Sequence, residues 1–226
     1  MKTALKETSL RRSTDVEIPI GGRALEGELI IPQRAKGIVV FAHGSGSSRF
    51  SPRNQFVAKT IRDSGNGTLL FDLLTHAEET EDEFTGEYRF NIPMLADRLV
   101  STARWLHDQP GMDAYGIGFF GSSTGGGAAL VAAADLGAKI DAVVSRGGRP
   151  DLADEALPRV MSPTLLLVGE LDHEVIALNE QALARLHCPK ELKIIPGATH
   201  LFEEPGKLEK VAIVAAAWFH KHLRMH

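Results

Sequence analysis

Residues 121–125 read Gly121-Ser122-Ser123-Thr124-Gly125, a G-x-S-x-G pattern centred on Ser123. A hydroxyl attacks well only when a base takes its proton and donors receive the charge that builds on the attacked oxygen. A sharp strand-to-helix turn suits both needs. It lifts the serine above the sheet and leaves no space for side chains two residues before and after it. Gly121 and Gly125 hold those two positions, whereas Ser122 does not fit the frame because Thr124 would stand two residues after it. A glycine-rich helix start that serves packing alone has the same letters. The buried-strand pattern before the turn and the small-residue helix pattern after it favour chemistry.

A second segment, Ala42-His43-Gly44-Ser45-Gly46-Ser47-Ser48, follows an apolar run and leaves its backbone open. Acyl transfer needs an N–H donor from such a loop beside the one from the residue after the nucleophile. The backbones of Ser45 and Thr124 are the expected donors, with Gly44 and Ser122 lying against substrate. His43 is a rival base, but it is better used to anchor the loop. His200, in Pro196-Gly197-Ala198-Thr199-His200, suits the chain order of nucleophile, acid, base. His107 and His187 lie near helix ends, where the dipole favours a cation without any catalysis. His220, His222 and His226 crowd the C-terminus, His76 follows a strand, and His173 adjoins the acid candidate. That acid is Asp172, in Gly169-Glu170-Leu171-Asp172, where a carboxylate would fix the imidazole tautomer and stabilise the imidazolium. Glu170 is expected to bond loop backbone instead, and Glu174 suits the first turn of a helix.

These loops need strands beneath them. Runs apolar on both faces occur at 38–41, 68–71, 116–120, 142–144 and 164–168, as in a parallel sheet covered on both sides. Residues 16–20 and 25–31 alternate partly, with Gly21-Gly22 as the turn between them. Helical patterns fill 54–63, 94–107, 123–136, 175–187 and 208–223, the second with Leu95, Leu99, Thr102 and Leu106 on one stripe. Strand and helix in alternation imply right-handed crossovers and a doubly wound sheet, whose sites form beyond the carboxyl ends of the strands.

The 226 residues, 43 % of them apolar, suit one domain over 1–226. A net charge of −4 with scattered basic residues argues against nucleic acid or an anionic membrane as partner. The one cysteine, Cys188, permits no intrachain disulfide and suits a reducing compartment. Charges at residues 1–7 replace the apolar core of a signal peptide, and no apolar run reaches the roughly eighteen residues of a membrane span. A cytoplasmic location is expected. No spacing matches a metal-ligand set, so no metal or cofactor is expected.

Taken together, His43-Gly44-Ser45-Gly46, Gly121-Ser122-Ser123-Thr124-Gly125, Gly169-Glu170-Leu171-Asp172 and Gly197-Ala198-Thr199-His200 resemble the α/β-hydrolase superfamily, and within it the dienelactone-hydrolase-like group. The resemblance runs from Ile18 to Leu223. It implies a mostly parallel, twisted sheet of about eight strands with helices on both faces, and cofactor-free ester hydrolysis through an acyl-enzyme. Dienelactone hydrolases use a cysteine nucleophile, whereas this elbow carries Ser123, so the resemblance points to a carboxylesterase. The group includes members fused to other domains, phosphoribosyltransferase-like ones among them.

Caps in this fold sit before the acid strand, and here only residues 146–162 are available, with room for one short helix at 151–157. No large cap domain is expected, and the open site would favour a small-molecule ester with a short acyl chain. Residues 75–93, strongly acidic around Glu78-Glu79-Thr80-Glu81-Asp82-Glu83, read as a solvated mobile loop that could also form a second wall. Arg146 and Arg149 could bind a substrate carboxylate or pair with Asp151 or Asp154. A thioesterase or peptidase would use the same three residues, and a non-catalytic ligand-binding protein could keep the fold.

Overall fold

The computed structural model describes residues 12–226, so the charged stretch at 1–7 lies outside the described residues. The strands are β1 (Arg12–Ile20), β2 (Arg23–Ile31), β3 (Gly37–Ala42), β4 (Gly67–Phe71), β5 (Gly116–Ser122), β6 (Ala142–Arg146), β7 (Thr164–Gly169) and β8 (Lys190–Ile195). The helices are α1 (Pro52–Asp63), α2 (His76–Thr85), α3 (Ile92–His107), α4 (Thr124–Leu136), α5 (His173–Arg185) and α6 (Lys207–His222). The eight strands form one sheet in the order β1-β2-β4-β3-β5-β6-β7-β8. β1 and β2 pair antiparallel, as do β2 and β4, and every later pairing is parallel. Gly21 and Gly22, with φ of 47° and 83°, form the hairpin turn between β1 and β2 that only residues tolerant of positive φ can make.

Period-two alternation sorts the central strands into two cores. Ile38, Val40, Leu69, Phe71, Phe119, Val143 and Leu166 face α3 and α4. Their neighbours Val39, Phe41, Leu70, Phe120, Val144, Leu165 and Leu167 face α1 and α6, where Val57, Ile61, Val211, Ala215 and Phe219 meet them. Each fully buried Leu, Ile or Phe contributes about 1.5–3 kcal/mol, so both faces must be covered, which is why the strands read as unbroken apolar runs. The expected stripe on α3 is buried, with Leu95, Leu99, Thr102 and Leu106 at most 3 % exposed. Among the described residues no helix is long and apolar enough to cross a membrane.

From β3 the chain crosses to β4 on one side and returns to β5 on the other. The sheet therefore changes winding direction at β3, and a crevice opens between the carboxyl ends of β3 and β5. Between β6 and β7 there is only a kinked 3-10 segment, Pro150–Arg159, so no large cap domain interrupts the sheet.

One sequence expectation needs correction. Residues 76–85 form a regular helix, α2, where the acidic composition suggested a mobile loop. Thr75 and Glu78 make a reciprocal capping box, and Gly86 ends the helix with φ 67°. The inward face of α2 is made of carboxylates. Glu78, 6 % exposed, accepts from Arg98 Nη2 at 2.6 Å and Arg23 Nη1 at 3.2 Å. Asp82, 2 % exposed, accepts from Arg89 Nε at 2.5 Å and the Tyr88 N–H at 2.7 Å.

Candidate active site

Ser123 joins β5 to α4 with φ 51° and ψ −123°, a conformation that strains any residue bearing a Cβ. The turn is held from three sides. The Ser123 N–H donates to Arg146 O at 3.3 Å, and the Ser123 carbonyl accepts from the N–H groups of Gly126 and Arg149, each at 3.0 Å. The flanking glycines are required by space. A Cβ on Gly121 would fall 2.4 Å from Gly125 O, and one on Gly125 would fall 2.3 Å from Ala42 O.

The loop after β3 lies directly against this turn, since a Cβ on Gly44 would sit 3.1 Å from both Ser122 O and Ser123 Cβ. His43 anchors the loop. Its Nδ1–H donates to Gly44 O at 3.0 Å, and its Nε2 accepts the Leu73 N–H at 2.9 Å, which fixes the neutral tautomer. Burial pushes its pKa below the ordinary imidazole value, against the raising influence of the Gly44 carbonyl, Asp72 and Glu79. The Ser45 N–H donates to Oγ1 of Thr124 at 3.0 Å. Ser122 and Thr124 are buried, at 2 % and 6 % exposed. A cavity of about 160 Å³ opens beside Ser45 and Thr124, reaching under α2 to Leu73, Leu95 and Arg89, with Glu79 and Glu83 on its rim. The acidic segment thus walls this space as a helix.

Asp172 stands at the N-cap of α5 but makes no capping bond with its side chain. Its Oδ2 lies 2.6 Å from His200 Nδ1. The loops that carry the two residues are laced together. Leu171 N–H donates to Ala198 O at 2.9 Å, and Glu170 N–H to Ile195 O at 3.0 Å. Glu170 Oε2 receives the Gly197 N–H at 2.7 Å, the backbone role read for it from sequence. Phe202, 1 % exposed, roots the histidine loop in the core beside α6. A Cβ on Gly147 would come 3.5 Å from His200 Cε1. The imidazole therefore stands over the carboxyl end of β6, one residue from the carbonyl that takes the Ser123 N–H.

Three of the other histidines engage elsewhere. His107 meets Asp108, His220 meets Ser64 O, and His226 meets Asp141. Cys188 lies near Thr164, the first residue of β7, at the end of the sheet opposite Ser123. Of the two arginines, Arg149 pairs with Asp151 at 2.8 Å, while Asp154 is taken by Arg185 at 2.5 Å. Arg146 joins neither aspartate. It is 7 % exposed, and Nε and Nη1 find no partner among the described residues. Burial, with the charge of Arg53, lowers its pKa to about 10. Sequence reasoning missed the Glu78–Arg98 pair and the Ser45–Thr124 bond, because neither leaves a hydrophobic period or a motif.

The sheet order, the strained serine turn and the histidine–carboxylate pair define an α/β-hydrolase fold. Residues 25–223 match the model of the dienelactone hydrolase family, and the chain belongs to that family. It is similar to a dienelactone hydrolase from Anabaena variabilis, at 54 % identity and TM-score 0.93, over 95 % of this chain and 99 % of that one. Est1E from Butyrivibrio proteoclasticus shares the fold at 16 % identity and TM-score 0.77, over 92 % of this chain and 98 % of that one. A Mycobacterium tuberculosis protein named "Putative phosphoribosyl transferase" is 50 % identical over 94 % of this chain but only 47 % of its own length. The chain thus spans about half the length of the curated relatives it matches.

Proposed function

We propose that this chain is a serine carboxylesterase acting on short-chain acyl esters through an acyl-enzyme intermediate. The observation that carries the proposal is the 2.6 Å contact of Asp172 with His200 Nδ1, with the imidazole beside Gly147, next in the chain to the Arg146 carbonyl that takes the Ser123 N–H. With Nδ1–H held by the carboxylate, Nε2 is left as the basic nitrogen. Ser123 Oγ attacks the ester carbonyl as its proton passes to Nε2. The tetrahedral oxyanion is received at the start of α4, where the Thr124 N–H and the helix dipole favour negative charge. Collapse expels the alcohol, which takes the proton back from His200. Water then repeats the sequence on the acyl-enzyme and releases the acid.

A serine where the dienelactone enzymes carry cysteine favours ester substrates beyond dienelactones. The short connection between β6 and β7 has no room for a cap domain, which suits short acyl chains. The experiment is hydrolysis of a short p-nitrophenyl ester by wild type and Ser123→Ala, together with fluorophosphonate labelling and identification of the labelled peptide. The variant is expected to lose several orders of magnitude in turnover, and the label to sit on Ser123. Near-wild-type turnover in the variant, or an unlabelled serine, would overturn the proposal. A panel of acyl-CoA, amide and ester substrates separates the esterase from a thioesterase or peptidase with the same residues.

A further inference from the structure

Two backbone N–H groups were expected to face the oxyanion, and one of them is already engaged. The Ser45 N–H points at Thr124 Oγ1, 3.0 Å away. We infer that the second proton offered to the oxyanion is the hydroxyl proton of Thr124, with the Ser45 N–H behind it as a polarising donor. The inference rests on the serine-esterase reading above and adds a catalytic residue to it.

A threonine hydroxyl has one proton to give and lone pairs to receive. Here a lone pair is filled by Ser45. Among the described residues no acceptor takes its proton. Thr124 is 6 % exposed and lines the same cavity wall as Ser45 and Gly44. Its hydroxyl is therefore directed by its neighbours, with little bulk water to compete. The adjoining residue is Ser123, which puts the hydroxyl and the N–H of Thr124 close to the oxyanion on a substrate carbon bonded to Ser123 Oγ. Gly44 keeps the arrangement tight, because the loop rides at van der Waals distance from Ser123 Cβ.

The relay also discriminates between states. A hydroxyl that accepts a hydrogen bond becomes a stronger donor, and this gain grows with the charge on its acceptor. A neutral ester carbonyl draws little from it, whereas an oxyanion draws a charge-assisted bond. Stabilisation is thus concentrated in the transition state, which raises kcat more than it lowers KM. The proton stays on Oγ1 throughout, so no bond to hydrogen is broken at Thr124.

The test is steady-state hydrolysis of a short p-nitrophenyl ester by wild type, Thr124→Val, Thr124→Ser and Thr124→Ala, with Ser123→Ala alongside. Active-site titration with a fluorophosphonate corrects for any misfolded fraction. Valine keeps the branched shape without the proton, so kcat should fall about 10²-fold with KM within a few-fold. Alanine should fall similarly, and serine should retain activity within about tenfold of wild type. Valine or alanine at wild-type rate would overturn the inference, since Ser45 would then serve the oxyanion directly. Serine falling as far as valine would also overturn it, because the threonine would then act by shape. If Ser123→Ala keeps full turnover, the esterase reading itself fails. If that variant is dead while Thr124→Val is fully active, only the Thr124 role fails.

Discussion

Asp172 occupies the N-cap of α5, yet its carboxylate ignores the helix and turns 2.6 Å from His200 Nδ1. An aspartate at an N-cap ordinarily accepts from the first turn, an interaction of about 1 kcal/mol. Here that bond is forgone, and the side chain remains only 15 % exposed beside a histidine. In the proposed mechanism, a carboxylate kept from its local partner and held against an imidazole serves to orient the ring and to balance its charge.

That placement predicts the effect of Asp172→Asn. The amide keeps the size of the side chain but loses its charge, and it can hold His200 with the wrong nitrogen protonated. By the behaviour of such triads, kcat for a short ester should fall about 10³- to 10⁴-fold. The thermal midpoint should move little, since no capping bond is lost. Steady-state kinetics and a melting curve on the same preparation check both halves, and a variant with more than a tenth of wild-type kcat would refute the orienting role.

The acid stability of α2 gives a second expectation. Burial alone would raise the Glu78 pKa, but the Arg98 hydrogen bond, the Thr75 backbone and the Arg98 charge outweigh it and hold the group at about 2, against an ordinary 4.5. A carboxylate with a depressed folded pKa stabilises the protein above its unfolded value. That stability is lost as pH falls from about 4.5 toward 2. Glu78→Gln has no such titration. Its stability deficit in urea should be largest above pH 5 and narrow steadily toward pH 2, and a deficit independent of pH would contradict the pairing.

The same helix shows where the sequence stops being legible. The strands were readable because both faces are buried, and α3 was readable because Leu95, Leu99 and Leu106 recur at helical spacing. α2 buries Glu78 and Asp82 in place of leucines, so its inward face carries no hydrophobic period. Its capping box at Thr75 and Glu78 was a local signal in plain view, outweighed by the run of acids around it. The catalytic candidates were legible because strained turns demand glycines at fixed offsets from Ser123. The burial of Arg146 was not legible, since it depends on tertiary packing, and the Arg53 charge that acts on it lies about ninety residues away in sequence.

His43 makes a third case. Its neutral ring joins the ends of β3 and β4 by giving a proton to Gly44 O and taking the Leu73 N–H. Because burial lowers its folded pKa, the unfolded chain binds a proton that the folded chain resists as pH drops below about 6.5. Stability should therefore decline from that point downward. His43→Ala abolishes this component and leaves the Leu73 N–H without its acceptor, a loss of about 1–3 kcal/mol at neutral pH. Chemical denaturation from pH 5 to 8 measures both, and an unchanged midpoint at pH 7 would exclude the anchoring role.

Gly44 offers the sharpest separation of activity from stability. An added Cβ would sit 3.1 Å from Ser122 O and from Ser123 Cβ, tighter than ordinary contact but short of an outright clash. The loop can yield by a few tenths of an ångström, since Ser45 and Gly46 beyond it are exposed. Such a shift moves the Ser45 N–H relative to Thr124 and, in the proposed mechanism, disturbs the donors offered to the oxyanion. Misplacement of that kind weakens transition-state bonds far more than it weakens folding. Gly44→Ala should therefore lose about tenfold to a hundredfold in kcat while its unfolding free energy falls by about 1 kcal/mol or less. Gly125→Ala is the contrast, because its Cβ would meet the backbone oxygen of Ala42 at 2.3 Å and that of His43 at 2.6 Å. Neither oxygen can move without breaking the strand end, so this variant should lose stability as well as activity. Equal stability of the two variants would show that the loop and the elbow are not packed as described.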